Sequence, residues 1–180
     1  VALIHESVEL LDALLAGSIE VVVEVREDRF FVVGSRTDLE QVLFNLVMNA
    51  KDGLGSNGGR IWIELRRSPD EENMIDLILE DSGPGIPPDI RAEIWKPFFT
   101  TKTMGRGSGL GLGVVARVVR DHGGGVALEP PVRAKGARFR ITLPGSQNPT
   151  ATGSVSMQDK RVLVVEDDED IRRNICAIMR

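Results

Sequence analysis

Two asparagines one helical turn apart form the first pattern in this chain that suggests a binding site. Asn45 and Asn49 lie four positions apart, and residues with that separation are neighbours on one face of a helix. Two carboxamides on one face can bind a ligand together. They can also hydrogen-bond within the protein, so the pair alone leaves both interpretations open.

An acidic residue followed by spaced glycines is the second pattern. DSGPGIP (81–87) places Asp81 at the end of an apolar run and follows it with Gly83 and Gly85. Because glycine has no side chain, the backbone there can approach a flat ligand closely. The D-x-G-x-G spacing also occurs in ordinary turns.

A glycine-rich stretch is the third pattern. Five glycines fall at alternate positions between 105 and 113, directly before an apolar run, and each costs a helix or strand up to about 1 kcal/mol relative to alanine. A dinucleotide fingerprint would directly follow a strand, which the polar PFFTTKTMGR (97–106) does not resemble, and GxxxxGK[ST] occurs nowhere in the chain. A hinge without a ligand remains an alternative for this stretch taken alone.

Apolar periodicity predicts the elements that position these residues. Helices are predicted over 1–15, from a capping pattern at Thr37 or Asp38 to a position near GSNGG (55–59), around 88–95, and over 110–122. Strands are predicted at 19–25, 29–33, 60–67, 74–81, 125–130 and 137–144. Asp81 therefore lies at the end of a strand, and the glycine-rich stretch lies at the start of a helix.

The composition is typical of a soluble globular protein in a reducing compartment. The 180 residues are 42% hydrophobic and 27% charged, which is enough for one sizeable core. The single cysteine, Cys176, cannot form an internal disulfide, and no apolar run approaches the roughly 20 residues of a membrane span. A net charge of −5 without a basic block argues against a nucleic-acid surface. We expect a cytoplasmic location, no nucleic acid and no direct membrane contact from this segment, although the parent protein can still be membrane-anchored.

Residues 37–144 resemble the catalytic, ATP-binding domain of bacterial sensor histidine kinases. NLVMNA (45–50) resembles the N box of that family, DSGPGIP the G1 box, IWKPFFTTK (94–102) the F box and GSGLGLG (107–113) the G2 box. The four motifs in this order are highly specific. The resemblance implies an α/β two-layer sandwich, in which helices cover one face of a mixed β-sheet. This is the Bergerat-type fold shared with gyrase, mismatch-repair and heat-shock chaperone ATPases.

The resemblance also implies roles at the base and metal ends of a nucleotide site. Asp81 would accept a hydrogen bond from the adenine amino group of ATP, with Gly83 and Gly85 lining the base pocket. Asn49 would offer its carbonyl oxygen to Mg²⁺, a hard cation that favours oxygen ligands. In hydrolytic members of the superfamily a glutamate stands where this chain has Asn45, so the resemblance implies a catalytic position that lacks a general base.

At the phosphate end, the glycine-rich stretch would form a mobile lid that ends in a helix terminus. The expected contacts are backbone N–H groups of Gly107, Gly109, Leu110 and Gly111, with Thr100, Thr101 and Lys102 at the start of the lid. Lys102 is a candidate contact of the γ-phosphate, and a solvated loop lysine is the alternative.

The chain departs from the family pattern close to the magnesium asparagine. Many relatives carry a basic residue three positions after it, whereas Asp52 stands here and Lys51 precedes it. A phosphate role for Lys51 is therefore left open. Trp95 replaces the phenylalanine common before the KPFF turn, and we interpret it as a packing residue.

The resemblance divides the chain into four parts. We expect the end of a dimerisation helix at 1–17, the catalytic domain at 18–144, a linker at 145–159 and the truncated start of a receiver domain at 160–180. In RVLVVEDDEDIRR (161–173), Glu166 and Asp167 match the acidic pair of receivers, but the phosphate-accepting aspartate would lie beyond Arg180, and a solvated acidic turn is the simpler interpretation for this chain. His5 is not expected to accept phosphate, because no Arg or Pro follows it as in a phosphoacceptor box.

The function that follows is transfer of the γ-phosphoryl group of ATP to a histidine on a separate dimerisation domain of a homodimeric hybrid sensor kinase. ATP and Mg²⁺ are the expected cofactors. The expected partners are that dimerisation domain and a receiver domain or response regulator. Two alternatives stay open: a hydrolytic ATPase of the same superfamily, and a module that senses nucleotide without catalysis.

Overall fold

In a computed structural model of the chain, residues 15, 18–26, 29–102, 108–146 and 161–166 are described. The predicted first helix, apart from its last residue, lies outside the described residues, as do His5, Gly107 and Asp167. The strands are β1 Ile19–Val25, β2 Arg29–Gly34, β3 Gly59–Arg67, β4 Met74–Asp81, β5 Gly125–Glu129, β6 Arg138–Pro144 and β7 Arg161–Glu166. The helices are α1 Arg36–Leu54 and α2 Gly111–Asp121, with 3₁₀ turns at Gly55–Asn57 and Pro88–Ile90.

Five strands form one mixed sheet in the order β1-β3-β4-β6-β5. β1 runs parallel to β3, and the other neighbours are antiparallel. Buried residues of α1 and α2 share one core with one face of this sheet, which confirms the expected two-layer fold. β2 lies outside the sheet and pairs antiparallel with β7.

The beginning of α1 differs from the prediction. Ser35, not Thr37 or Asp38, is the N-cap, and its Oγ accepts a hydrogen bond of 3.4 Å from the Asp38 N–H. Asp38 instead lies in the first turn, where a negative charge interacts favourably with the helix dipole. The capping prediction was wrong by two or three residues because this segment offers several side chains that can cap a helix.

The short helix predicted over 88–95 is also reduced. Only Pro88–Ile90 forms a 3₁₀ turn, and residues 91–95 form further turns. Trp95 from this segment packs edge-on against Phe139, with ring centroids 5.9 Å apart and an interplanar angle of 86°. The aromatic contact confirms the packing role expected for Trp95.

The alternation of side chains along β4 decides where Asp81 points. Ile75 and Leu79 belong to the core beneath the helices, and successive strand residues point to opposite faces. Asp81 therefore shares the helix-facing side with these residues, whereas Glu80 belongs to the other side.

The face of the sheet away from the helices carries buried charges. Glu64, Asp76 and Glu80 are each less than 5% exposed. Arginines of the neighbouring segments pair with them, including Arg138 with Glu80 at 2.8 Å and Arg26 with Glu64 at 2.7 Å. Buried carboxylates require such partners, because an unpaired buried charge is strongly destabilising.

Candidate functional site

A cavity of about 670 Å³ lies between α1, the end of β4, the start of α2 and residues of the segment between β4 and α2. Most residues singled out from the sequence line it: Asn45, Asn49, Asp81, Gly85, Thr100, Thr101, Lys102, Gly109, Leu110 and Gly111. Gly83 is not among the lining residues, and Gly107 lies outside the described ones. The fold thus brings residues from four separate sequence motifs to one cavity.

Asp81 is the buried acidic residue that lines the cavity, with only 4% of its surface exposed. Its Oδ1 accepts hydrogen bonds from the backbone N–H of Gly83 at 2.8 Å and of Ala137 at 3.3 Å. No described residue donates to Oδ2, so this oxygen is available to a donor on a ligand. Burial raises the pKa of the Asp81 carboxyl, the two N–H donors oppose that rise, and the charge of Glu80 adds to it.

Glycine is required at two positions around Asp81. Gly85 has φ of +78°, and a Cβ there would lie 2.9 Å from the Lys135 carbonyl oxygen. At Gly136 a Cβ would lie 1.7 Å from the Asp81 carbonyl oxygen. Sequence reasoning missed Gly136, and its only signal was a lone glycine just before a predicted strand.

The asparagines lie on the face of α1 that meets the cavity. Gln41, Asn45, Asn49 and Asp52 are three or four positions apart and all line it, while the opposite side of the helix is packed in the core. Asn45 Oδ1 lies 3.5 Å from the Cβ position of Gly111, so the carboxamide faces the start of α2. Lys51 does not line the cavity, which argues against the phosphate role left open for it.

The start of α2 presents uncapped backbone donors to the cavity. Leu110 is the N-cap and makes no side-chain capping bond. Gly109 precedes it with φ of +66°, and a Cβ there would lie 2.5 Å from the carbonyl carbon of Phe98. The Leu110 N–H donates to Ser108 Oγ at 3.4 Å. N–H groups in the first turn of a helix have no intrahelical acceptor, so they and the helix dipole together favour an anion at this end.

Lys102 forms an ion pair with Asp52 across the cavity wall. The two side chains are 35% and 43% exposed, so the pair is accessible to solvent and its net stabilisation is small. The lysine is therefore neither isolated nor locked in place, and both it and Asn49 line the cavity.

Residues 34–147 match the family model described as histidine kinase-, DNA gyrase B-, and HSP90-like ATPase. The chain belongs to this family. The mixed five-stranded sheet with helices on one face is the ATP-binding fold of these ATPases, and the cavity lies within the matched residues, so ATP is the nucleotide that the family membership supports.

Its relatives within the family are sensor histidine kinases. The chain is 31% identical to the sensor kinase CckA of Brucella abortus, over 91% of this chain and 20% of the relative. It superposes on the mycobacterial sensor histidine kinase MprB with a TM-score of 0.68 and 31% identity, covering 79% of this chain and 92% of that one. It also superposes on the histidine kinase ThkA, solved in complex with the response regulator TrrA, with a TM-score of 0.65 and 31% identity, covering 80% of this chain and 40% of that one.

The chain spans about a fifth of the length of CckA and about a third of another curated relative, the sensory histidine kinase/phosphatase NtrB of Rhizobium meliloti. Across the described parts of the chain, no helix is both long and apolar enough to cross a lipid bilayer.

Proposed function

We propose that this chain is the ATP-binding catalytic domain of a two-component sensor histidine kinase and transfers the γ-phosphoryl group of ATP to a histidine on a separate dimerisation domain. The observation that carries the proposal is that a buried carboxylate, a pair of carboxamides and an uncapped helix start line one and the same cavity.

At the base end, Asp81 would bind the adenine amino group. Its Oδ1 is held by Gly83 and Ala137, which leaves Oδ2 for a ligand donor. A carboxylate only accepts hydrogen bonds when ionised, so it favours a base that presents an amino group over one that presents a carbonyl. Gly85 lies beside it as part of the cavity wall, which supports its role in the base pocket.

At the phosphate end, backbone N–H groups of Gly109, Leu110 and Gly111 would bind phosphate oxygens, since an uncapped helix start attracts anions. Thr100, Thr101 and Lys102 also line the cavity. Lys102 would exchange its exposed pairing with Asp52 for a contact with the γ-phosphate.

A magnesium ion fits the donor set of the cavity. Asn45 and Asn49 both offer carboxamide oxygens on the cavity side of α1, and Mg²⁺ prefers oxygen ligands and accepts most of its coordination from phosphates and water. Asn49 is the residue that we assign to the ion. When bound, the ion supplies neutralisation of phosphate charge.

Phosphoryl transfer in such a site depends on positioning and on charge neutralisation, because the nucleophile comes from another domain. Asn45 stands beside the start of α2 but cannot accept a proton from water, since its oxygen belongs to a neutral amide. This favours a kinase over the hydrolytic ATPase, which is the second candidate. A nucleotide-sensing module without catalysis is the third.

The proposed partners are the dimerisation domain of the parent kinase and a response regulator or receiver domain. The ThkA relative was solved together with a response regulator, which supports a partner of that kind here. The proposed boundaries are those of the sequence, with the catalytic domain at 18–144 and a receiver beginning at 160.

The test is a transfer assay between residues 1–180 and the separately purified dimerisation domain of the parent kinase. With Mg²⁺ and γ-labelled ATP, we expect acid-labile phosphate on the dimerisation domain and none on the chain itself. Replacing the acceptor histidine in the dimerisation domain should abolish the label. Release of inorganic phosphate without any labelled domain would favour the ATPase, and nucleotide binding without either product would favour the sensing module.

A further inference from the structure

The loop between β5 and β6, residues 130–137, belongs to none of the motifs that suggested the nucleotide site. Three successive backbone N–H groups in it converge on one carboxylate oxygen. Val132, Arg133 and Ala134 donate to Oε1 of Glu80 at 2.9, 2.5 and 3.1 Å. A single side chain on β4 therefore fixes the backbone of this loop.

Glu80 is held firmly enough to act as such an anchor. It is 1% exposed, and its second oxygen accepts a hydrogen bond of 2.8 Å from Arg138 Nη1. Burial alone would raise the pKa of Glu80, but the loop N–H groups and Arg138 more than offset this and lower it below its ordinary value. Arg138 also pairs with Glu129 through its Nε, at 3.1 Å.

The far end of the loop contacts Asp81. The Asp81 N–H donates to the Ala137 carbonyl oxygen at 3.0 Å, and the Ala137 N–H donates to Asp81 Oδ1 at 3.3 Å. Gly136 lies directly against Asp81, because a Cβ added at position 136 would overlap the Asp81 backbone. Ala137 lines the cavity, whereas Glu80 does not.

The loop thus wraps around the end of β4 and joins two neighbouring side chains on opposite faces of the sheet. Only residues 135 and 136 separate the segment held by Glu80 from the Ala137 N–H that orients the Asp81 carboxylate. A short connection transmits a shift at one end to the other, because closely packed interiors have few voids to absorb it.

We propose that Glu80 is a positioning residue for nucleotide selectivity. By holding the backbone of residues 132–134, it fixes Ala137 and Gly136 against Asp81. This contact fixes the orientation of the Asp81 carboxylate, which recognises the amino group of adenine. This inference rests on the proposed function of the cavity. Glu80 acts through the loop and touches no nucleotide.

Position and charge can be separated with two variants of Glu80. E80Q keeps the length of the side chain and one oxygen for the loop N–H groups but removes the charge. E80D keeps the charge but withdraws the acceptor by one methylene. E129Q is the matched control, because Glu129 pairs with Arg138 but accepts no hydrogen bond from residues 132–134.

The experiment is calorimetric titration of each protein with ADP and with IDP, whose base carries a carbonyl in place of the amino group. Misalignment of one hydrogen bond should lower the preference of E80D for ADP over IDP by about fivefold relative to the wild type. E80Q should stay within about twofold of the wild-type preference, because its oxygen still holds the loop, and E129Q should leave the preference unchanged.

The inference is overturned if E80D retains the wild-type preference, or if E80Q and E80D reduce it equally. An equal reduction would assign the effect to the lost ion pair or to general destabilisation rather than to the position of the acceptor. If the wild type itself binds ADP and IDP equally, the proposed base recognition by Asp81 fails instead. The failure of the inference and the failure of the proposed function therefore give different results.

Discussion

Gly136 lies so close to Asp81 that a β-carbon at position 136 would stand 1.7 Å from the Asp81 carbonyl oxygen and 2.4 Å from Oδ1. No non-bonded carbon approaches an oxygen to such a distance, so no other residue type fits without movement of the backbone. The glycine comes from the β5–β6 loop, whereas Asp81 ends β4. A carboxylate in the cavity is thus held by a segment distant in sequence.

Gly136→Ala should therefore impair folding and nucleotide binding together. We expect a loss of about 1–3 kcal/mol in the free energy of unfolding, because overpacking forces the backbone to shift, together with weaker binding of ADP. Denaturant unfolding and calorimetry measure the two effects. Gly125→Ala is the control, since a Cβ at Gly125 meets nothing within 4 Å. Unchanged unfolding and binding in Gly136→Ala would show that the close approach is not required.

Lys102→Ala should weaken ATP without affecting adenosine. An exposed ammonium that contacts phosphate contributes about one order of magnitude in affinity or less, and salt screens the interaction. Lys96→Ala serves as the control, because Lys96 pairs with Glu93 and is not among the residues lining the cavity. Calorimetry at low and high salt measures the effect. Equal ATP affinity in Lys102→Ala and wild type would assign Lys102 to its pair with Asp52 alone.

Glu80 should make the stability of the protein depend on pH. Its pKa is lowered in the folded protein from an ordinary value of 4.5, so the ionised group stabilises the fold above that pH, and this contribution is lost as the pH falls through the folded-state pKa. Unfolding in urea should therefore show wild type more stable than Glu80→Gln at neutral pH, with the difference shrinking below pH 4.5. Glu93→Gln, which removes a surface pair, should change little at any pH. A difference between wild type and Glu80→Gln that is constant with pH would contradict the role of the charge.

Much of the site could be predicted because its parts are local patterns. Asn45 and Asn49 follow from helical spacing, and the position of Asp81 follows from strand alternation and the glycines behind it. Strand limits were predicted to within one or two residues, since apolar alternation ends where burial ends. To predict that these residues share a site, it was enough to predict the helix and the strand that carry them.

The contacts that the sequence did not predict join distant segments. Glu80 meets the loop N–H groups 52–54 residues later, and Lys102 meets Asp52 at a separation of 50 residues. Neither pair has a spacing signature, because the approach of the partners depends on how the fold brings together segments that are distant in sequence. The helix cap is a similar case. Ser35, Thr37 and Asp38 can all cap a helix, and Ser35 is the cap because β2 ends at Gly34, directly before it.

Hydrolysis of ATP by residues 1–180 should stay near the assay floor. A general base typically accelerates such a step by about 10²–10⁴-fold. Asn45 stands where the resemblance implies a glutamate base in hydrolytic ATPases, and its carboxamide cannot accept a proton. Steady-state release of phosphate with Mg²⁺ and ATP measures this. Turnover of several ATP per minute that Asn45→Ala abolishes would make the chain a hydrolytic ATPase.

The central claim, that the cavity binds ATP through Asp81, is tested most directly by calorimetric titration of wild type and Asp81→Asn with ATP and with GTP. Asp121→Asn is the control, because Asp121 forms an exposed pair with Arg117 and is not among the residues lining the cavity. We predict that wild type binds ATP and binds GTP poorly, and that Asp81→Asn loses the about 1.5–3 kcal/mol typical of a hydrogen bond to a charged group. Equal affinity of the wild type for ATP and GTP, or an unchanged affinity of Asp81→Asn for ATP, would contradict the assignment.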